Sequence, residues 1–312
     1  MIDLHCDTIS VLYEKPACGS LAKNCIHVDL DKLIQGGSSA QFFAMFVDQA
    51  MVDHPFDYCN HLIDKFYAEL ALNQEHIAIA HDVGDYQMNQ QKKKISAFLT
   101  IEEGGVLKGD LANLHQFYQR GVRLLTLTWN YVNEIGFPNV DFLYQEKGLT
   151  PFGKEVVQEM NCLGMIVDVS HLSDGGFYDV AKISSKPFVA SHSNSRTMTK
   201  HSRNLTDDMI RLLASKGGVM GINFSGDFLG GACHSQVEDI IRHIRYIYRI
   251  GGSDVIALGT DFDGIHSILE IEDFSQMDKL ITALKCSGFT SNDIDKICEM
   301  NCLRVMKDCL SK

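Results

Sequence analysis

The chain has 312 residues, 45% of them hydrophobic and 22% charged, and a formal net charge of −12. That balance excludes a disordered chain and a chain living in lipid, and the acidic excess disfavours nucleic acid or an anionic membrane as partner, since either wants a basic face. Only five prolines, and no linker-like shift or solenoid repeat, interrupt it, so one domain over residues 1–312 is the economical reading.

Taken in chain order, eight short runs rich in apolar, β-branched or aromatic residues read as buried strands: 1–5 (MIDLH), 41–48 (QFFAMFVD), 95–102 (ISAFLTIE), 121–128 (GVRLLTLT), 165–171 (MIVDVSH), 187–192 (PFVASH), 217–224 (GGVMGINF) and 255–261 (VIALGTD). Amphipathic stretches lie between them, at 60–75, 152–163, 206–216 and 236–250. The third opens on Thr206 followed by Asp207 and Asp208, a capping hydroxyl with acids suited to the positive end of a helix. Strand alternating with helix implies parallel pairing through crossovers, and eight units imply an α/β fold of the (β/α)8 TIM-like barrel type. An open, doubly wound sheet is the alternative. No glycine-rich phosphate loop follows a strand.

The ten cysteines are scattered and read as reduced, packed thiols; Cys298 and Cys302, four apart, lack the further ligands a metal site needs. The opening residues have no basic segment followed by a long apolar run, and no window approaches the roughly 18 apolar residues of a membrane span. A cytoplasmic location is expected.

Chemistry collects at the strand ends. His5 and Asp7 end the first strand, Glu102 the third, His171 the fifth, His192 the sixth and Asp261 the eighth. In a parallel barrel all those ends meet at one face, where active sites are built. Imidazole and carboxylate are ligands that Zn²⁺ accepts, and five exceed what one catalytic ion takes. They suit two zinc ions sharing a carboxylate, one held by His5, Asp7 and Glu102, the other by Glu102, His171 and His192. Asp261 is then placed to move protons.

"DLHCDT", "TIEEGG", "LTLTWN", "GLTPFGKEVVQEMNCLGMIVDVSHLSD", "ASHSNSR", "HSRNLTDD" and "GTDFDG" follow one another over residues 3–264. In these blocks the chain resembles the membrane (renal) dipeptidase family of zinc peptidases. The resemblance implies an amidohydrolase-type barrel, two Zn²⁺ ions, a homodimer, and hydrolysis of dipeptides with tolerance of a D-residue at the C-terminal position. It also implies that Arg203 grips the substrate carboxylate, that Asp261 is the catalytic aspartate, and that His5, Asp7, Glu102, His171 and His192 are the ligands. Glu103 adjoins Glu102, and strand alternation turns only one of them inward; aligning without a gap to "LTLT" favours Glu102. Where the family carries a substrate-contacting histidine after "LTLT", this chain has Trp129 and then Asn130. Trp129 is assigned to the substrate pocket, with packing over the barrel mouth as the alternative. Another metal-dependent amidohydrolase, acting on N-acyl amino acids, lactams or lactones, is the second reading, and a non-catalytic binding protein the third.

Overall fold

The computed structural model describes residues 1–310. The eight expected strands are all present, and three short ones join them. In chain order they are β1 (Ile2–Cys6), β2 (Ala40–Phe46), β3 (Ile77–Ile79), β4 (Ile95–Glu102), β5 (Val122–Thr126), β6 (Ile166–Asp168), β7 (Val189–Ala190), β8 (Val219–Ile222), β9 (His234–Ser235), β10 (Ile256–Leu258) and β11 (Ile268–Leu269). The main sheet runs β2-β1-β10-β8-β7-β6-β5-β4, and β2 also pairs in parallel with β4 from Ala40 opposite Ser96 to Phe46 opposite Glu102. That pairing closes the ring into a (β/α)8 barrel and disposes of the open sheet. β3 lies against Ile95–Ala97, on the edge of β4 that β5 takes further along; three residues are too few to carry a periodic signal. β9 and β11 pair only with each other, outside the barrel.

Helices Pro55–Leu72, Pro151–Leu163, Asp207–Ser215 and Val237–Gly251 occupy the four expected stretches. The first begins five residues earlier than its hydrophobic pattern, at Pro55, whose fixed φ suits a helix start and whose missing N–H costs nothing there. Thr206 caps the third by accepting from the Met209 N–H.

Alternation along the strands builds the barrel in layers. Ile2, Leu4, Phe42, Phe98, Leu124, Ile166, Val189, Val219 and Ala257 form one apolar cluster, sealed by Cys302, Val305, Met306, Cys309 and Leu310 of the helix Asn301–Leu310. Phe42 and Phe98 stack with centroids 4.6 Å apart. Two or four residues further along the same faces stand Glu102, Thr126, Asp168, Ser191, Asn223 and Asp261, all buried. The intervening step on β8 and after β10 is glycine, because a Cβ on Gly221 or Gly259 would come within 1.9 or 1.8 Å of the Ser191 carbonyl oxygen. An apolar floor thus supports a polar layer at the C-terminal ends of the strands. All ten cysteines are free thiols; Cys6, Cys59, Cys298, Cys302 and Cys309 are packed as expected, burial pushing the Cys298 thiol up to about 12, whereas Cys25, Cys162, Cys233 and Cys286 are exposed and depart from that expectation.

Candidate active site and metal centre

The structure brings His5, Asp7, Glu102, His171, His192 and Asp261 together at that polar layer. Three of them lie beyond the strands assigned to them: β6 stops at Asp168, β7 at Ala190 and β10 at Leu258, so His171, His192 and Asp261 sit in the turns that follow. His171 and Asp261 have φ of 66° and 61°, the left-handed region that non-glycine residues occupy at a cost. Their side chains therefore point where a continuing strand could not send them.

The carboxylate of Glu102 lies between two groups of donors. Its Oε2 is 3.4 Å from His5 Nε2, while its Oε1 is 3.0 Å from His171 Nε2 and 3.3 Å from His192 Nε2. His5 Nε2 is also 3.4 Å from Asp7 Oδ2 and 3.8 Å from Asp261 Oδ1. Although buried and close to these oxygens, both ring nitrogens of His5 and Asp7 Oδ1 lack a hydrogen-bond partner.

The outer hydrogen bonds fix which ring nitrogen of each later histidine faces inward with a lone pair. His171 Nδ1 is 3.0 Å from Asn130 Oδ1, which only accepts, so Nδ1 carries the hydrogen. Ser191 Oγ donates to Asp168 Oδ2 at 2.5 Å and accepts from His192 Nδ1 at 2.8 Å. Asp168 is itself held by Thr126 Oγ1 and by the backbone N–H groups of Ser170 and Ser191. The two Nε2 atoms, 3.0 Å apart, thus aim lone pairs at each other and at Glu102 Oε1. Such convergence is repulsive unless a cation sits among them.

Electrostatics points the same way. Burial opposes a charge on His5, yet the facing Glu102 and Asp7 carboxylates outweigh it and hold its pKa well above the ordinary value. Burial also works against ionised Glu102, but the charge on the facing His5 keeps its pKa well below the usual range. His171, by burial and the neighbouring Arg203, falls to about 4. Burial, opposed by His5 and reinforced by Glu102, raises Asp7 to about 6 and Asp261, which also faces Asp7, to about 7. Positive charge is demanded here, and a proton on His5 or a divalent ion meets the demand. Space is kept as well: a Cβ on Gly264 would lie 2.1 Å from Asp7 Oδ2 and 2.6 Å from Asp261 Oδ1. His5, Glu102 and His192, and His5, Asp7 and Asp261, each bring one ligand atom within 4.8 Å of the others. The donor set fits a metal.

Glu103 is turned away. With φ of 111°, it is wholly buried and accepts from the backbone N–H groups of Gly105 and Trp129 and from Asn133 Nδ2. It ties the loop after β5 to the barrel, whereas Glu102 faces the histidines. The cleft above the cluster has a volume of about 490 Å³. Arg203 reaches it, its Nη2 donating to the His192 carbonyl oxygen at 3.2 Å and its guanidinium carbon 5.3 Å from the Phe228 ring centroid. The Arg203 Nε and Nη1 groups are buried without partners, and burial lowers the guanidinium pKa. Trp129 lines the cleft and packs edge-on against Phe46 at 4.8 Å and Tyr131 at 5.6 Å. Asp263 also lines it, but its carboxylate is used by Thr8 Oγ1 and by His27.

The profile of the family described as membrane dipeptidase (peptidase family M19) matches residues 1–311. The chain belongs to the membrane dipeptidase family. Membership makes it a hydrolase of the metallodipeptidase class. An uncharacterized protein from the pqqA 5′ region of Klebsiella pneumoniae is 34% identical over 265 residues, covering 79% of this chain and 96% of its own. An uncharacterized dipeptidase of Schizosaccharomyces pombe is 31% identical over 305 residues, covering 90% of this chain and 72% of its own. A Rhodobacter sphaeroides metallopeptidase, solved with a phosphinate mimic of the dipeptide L-Ala-D-Ala, superposes with a TM-score of 0.92 at 23% identity, over 99% of this chain and 98% of that one. This likeness extends the agreement in fold to the entire barrel. Among the described residues no helix is long and apolar enough to cross a membrane.

Sequence reasoning missed the residues behind the ligands: Asn130 as partner of His171, Asp168 and Ser191 behind His192, and Asn223, whose Nδ2 donates to Asp261 Oδ2 at 2.7 Å. Asp168 stood two residues past Ile166 on the inward face of a predicted strand. That parity was the available signal.

Proposed function

We propose that the protein is a dinuclear zinc dipeptidase that accepts a D-residue at the C-terminal position of its substrate. The observation carrying this reading is Glu102, one oxygen of which faces His5 while the other faces His171 and His192. His5, Asp7 and Glu102 would hold one ion, and Glu102, His171 and His192 the second. When bound, such a pair polarises a peptide carbonyl and acidifies water. The chain's own residues do the rest. Arg203 offers its two unpartnered groups to the substrate's terminal carboxylate, a planar fork matched to two oxygens. That grip one residue beyond the scissile bond sets the substrate length. Asp261, oriented by the Asn223 amide, receives a proton from the attacking water and returns it to the departing amine. Trp129, packed on Phe46, forms an apolar wall of the cleft. The D-residue is suggested by the dipeptide mimic bound to the Rhodobacter sphaeroides relative.

Trp129 in place of the family's histidine favours, as a second reading, N-acyl amino acids, lactams or lactones on the same metals. The deciding experiment measures metal per chain and hydrolysis of L-Ala-L-Ala, L-Ala-D-Ala and N-acetyl-alanine, for wild type and His171→Ala. Two zinc ions per chain with dipeptide cleavage, both diminished in the variant, is the expected result. Metal without dipeptide cleavage moves the assignment to the second reading. A cytoplasmic homodimer is part of the same proposal, to be checked by fractionation and light scattering.

A further inference from the structure

We infer that Arg196 is a positioning residue for substrate binding: it straps the loop that presents Arg203, and through that loop it sets the affinity for the dipeptide's carboxylate. The inference rests on the proposed role of Arg203 and deepens it.

Arg203 lies not on a strand but in the excursion after β7, where a long side chain on a mobile segment would lose its aim. Arg196 spans that excursion. Its Nε donates to the Asn204 carbonyl oxygen at 2.7 Å and its Nη2 to the Ser202 carbonyl oxygen at 3.2 Å, so the residues on both sides of Arg203 are held by one guanidinium. The same group is anchored in turn: Nη1 and Nη2 donate to the two oxygens of Asp174 at 2.6 and 2.7 Å. Both side chains of this pair are only 11% exposed, so the pair is poorly screened and its geometry well defined. Asp174 opens the helix Asp174–Ile183 and also accepts from Gln145 Nε2 at 2.9 Å, while the ring of Phe142 lies 5.0 Å from the Arg196 guanidinium. Three of the loops at the mouth of the barrel, those after β5, β6 and β7, thus converge on Arg196. None of its contacts is to the metal cluster or the cleft. The shape of the demand explains the residue: two carbonyls and a bidentate carboxylate need a planar fork with several donors, which lysine lacks.

Asn204 and His201 complete the frame. Asn204 Nδ2 donates to the carbonyl oxygens of Thr199 and Phe228, both at 2.9 Å, and His201 Nδ1 accepts from the Arg203 N–H at 3.1 Å. These fix the backbone at Arg203 from within the loop and, through Phe228, from the segment after β8, whereas Arg196 couples it to the helix after β6.

The test is a double-mutant cycle on the metal-loaded enzyme with L-Ala-L-Ala as substrate, in which Arg196→Met, Arg203→Met and the pair are compared for KM, kcat and metal per chain. Arg196→Met is expected to raise KM about tenfold, to lower kcat by a smaller factor and to keep the wild-type metal content. In the Arg203→Met background the same change should add less than twofold to KM, because nothing is left to aim. Arg196→Lys should recover only part of the loss. If Arg203→Met raises KM and Arg196→Met does not, or if their effects multiply, the strap has no part in binding and the inference fails while the role of Arg203 stands. If Arg203→Met itself leaves KM unchanged, the carboxylate grip and this inference fall together. Loss of metal and kcat in parallel with KM in Arg196→Met would mark a merely structural residue. Should that variant not fold, Asp174→Asn, which weakens the anchor but leaves Arg196 in place, is expected to raise KM severalfold by the same route, and an unchanged KM there overturns the inference.

Discussion

Gly264→Ala probes the metal cradle with a single added carbon. The backbone at Gly264 lies outside the left-handed region, so alanine is conformationally permitted and the effect is steric. Its Cβ would stand 2.1 Å from Asp7 Oδ2, and reaching the 3.0 Å below which such carbons do not approach requires a shift of about 0.9 Å; Asp261 Oδ1, at 2.6 Å, must move as well. The Asp261 carboxylate is held at its other oxygen by Asn223, and Asp7 Oδ2 faces His5 Nε2 at 3.4 Å, so either shift displaces a group of the cluster. Metal ligands tolerate roughly 0.2 Å of displacement, and misplacing a reacting group by roughly 1 Å costs about 100-fold in rate. We therefore expect kcat/KM for a dipeptide to fall about 100-fold and bound metal to be lost on dialysis that wild type withstands. Overpacking should cost the fold only about 1–3 kcal/mol, so the protein remains soluble and folded by denaturant titration. A variant retaining full metal content and activity within threefold of wild type would refute the reasoning, since the two carboxylates would then have no fixed task.

Asp261→Asn should lower kcat/KM by about 10²–10⁴ while leaving metal content near that of wild type; loss of an ion instead would make Asp261 a ligand and not a proton carrier. Ser191→Ala removes the acceptor for His192 Nδ1 and should weaken metal retention about 10–100-fold in competition with a chelator, whereas unchanged retention would deny the Asp168–Ser191 pair its orienting role. His243, buried with Nδ1 accepting from the Ser195 N–H at 3.2 Å, has its pKa lowered by burial from 6.5 to about 4. The unfolded chain binds more protons between those values, so the contribution of this residue is complete above pH 6.5 and fades as pH falls to about 4. It amounts to about 3 kcal/mol at most. Wild type should lose that much more stability than His243→Gln between pH 7 and 4 in urea titrations, and parallel losses would remove the argument.

Much of the barrel was legible because its signals are local. An inward apolar face must recur along each strand and each covering helix must show an apolar stripe, so strand-like runs and helical stretches alternate in the chain whatever their neighbours do. Parallel strands then force their C-terminal ends to one side, and His5, Asp7, Glu102, His171, His192 and Asp261 could be gathered from sequence alone. The residue types at those ends also limited the chemistry to a metal that takes nitrogen and oxygen ligands.

Tertiary structure decided what local patterns do not carry. Glu102 follows Phe98 on the inward parity of its strand, but only the placement of the loop after β5 makes its neighbour Glu103 the acceptor for Trp129 and Asn133. The tautomers of His171 and His192 depend on Asn130, 41 residues away, and on Asp168 through Ser191, 23 residues apart. The strap from Arg196 to Asp174 joins positions 22 apart on different loops. Barrel closure and the turns at left-handed residues set these distances. No periodicity along the chain encodes them, because each is a contact between segments whose separation is fixed only when the ring of strands is complete.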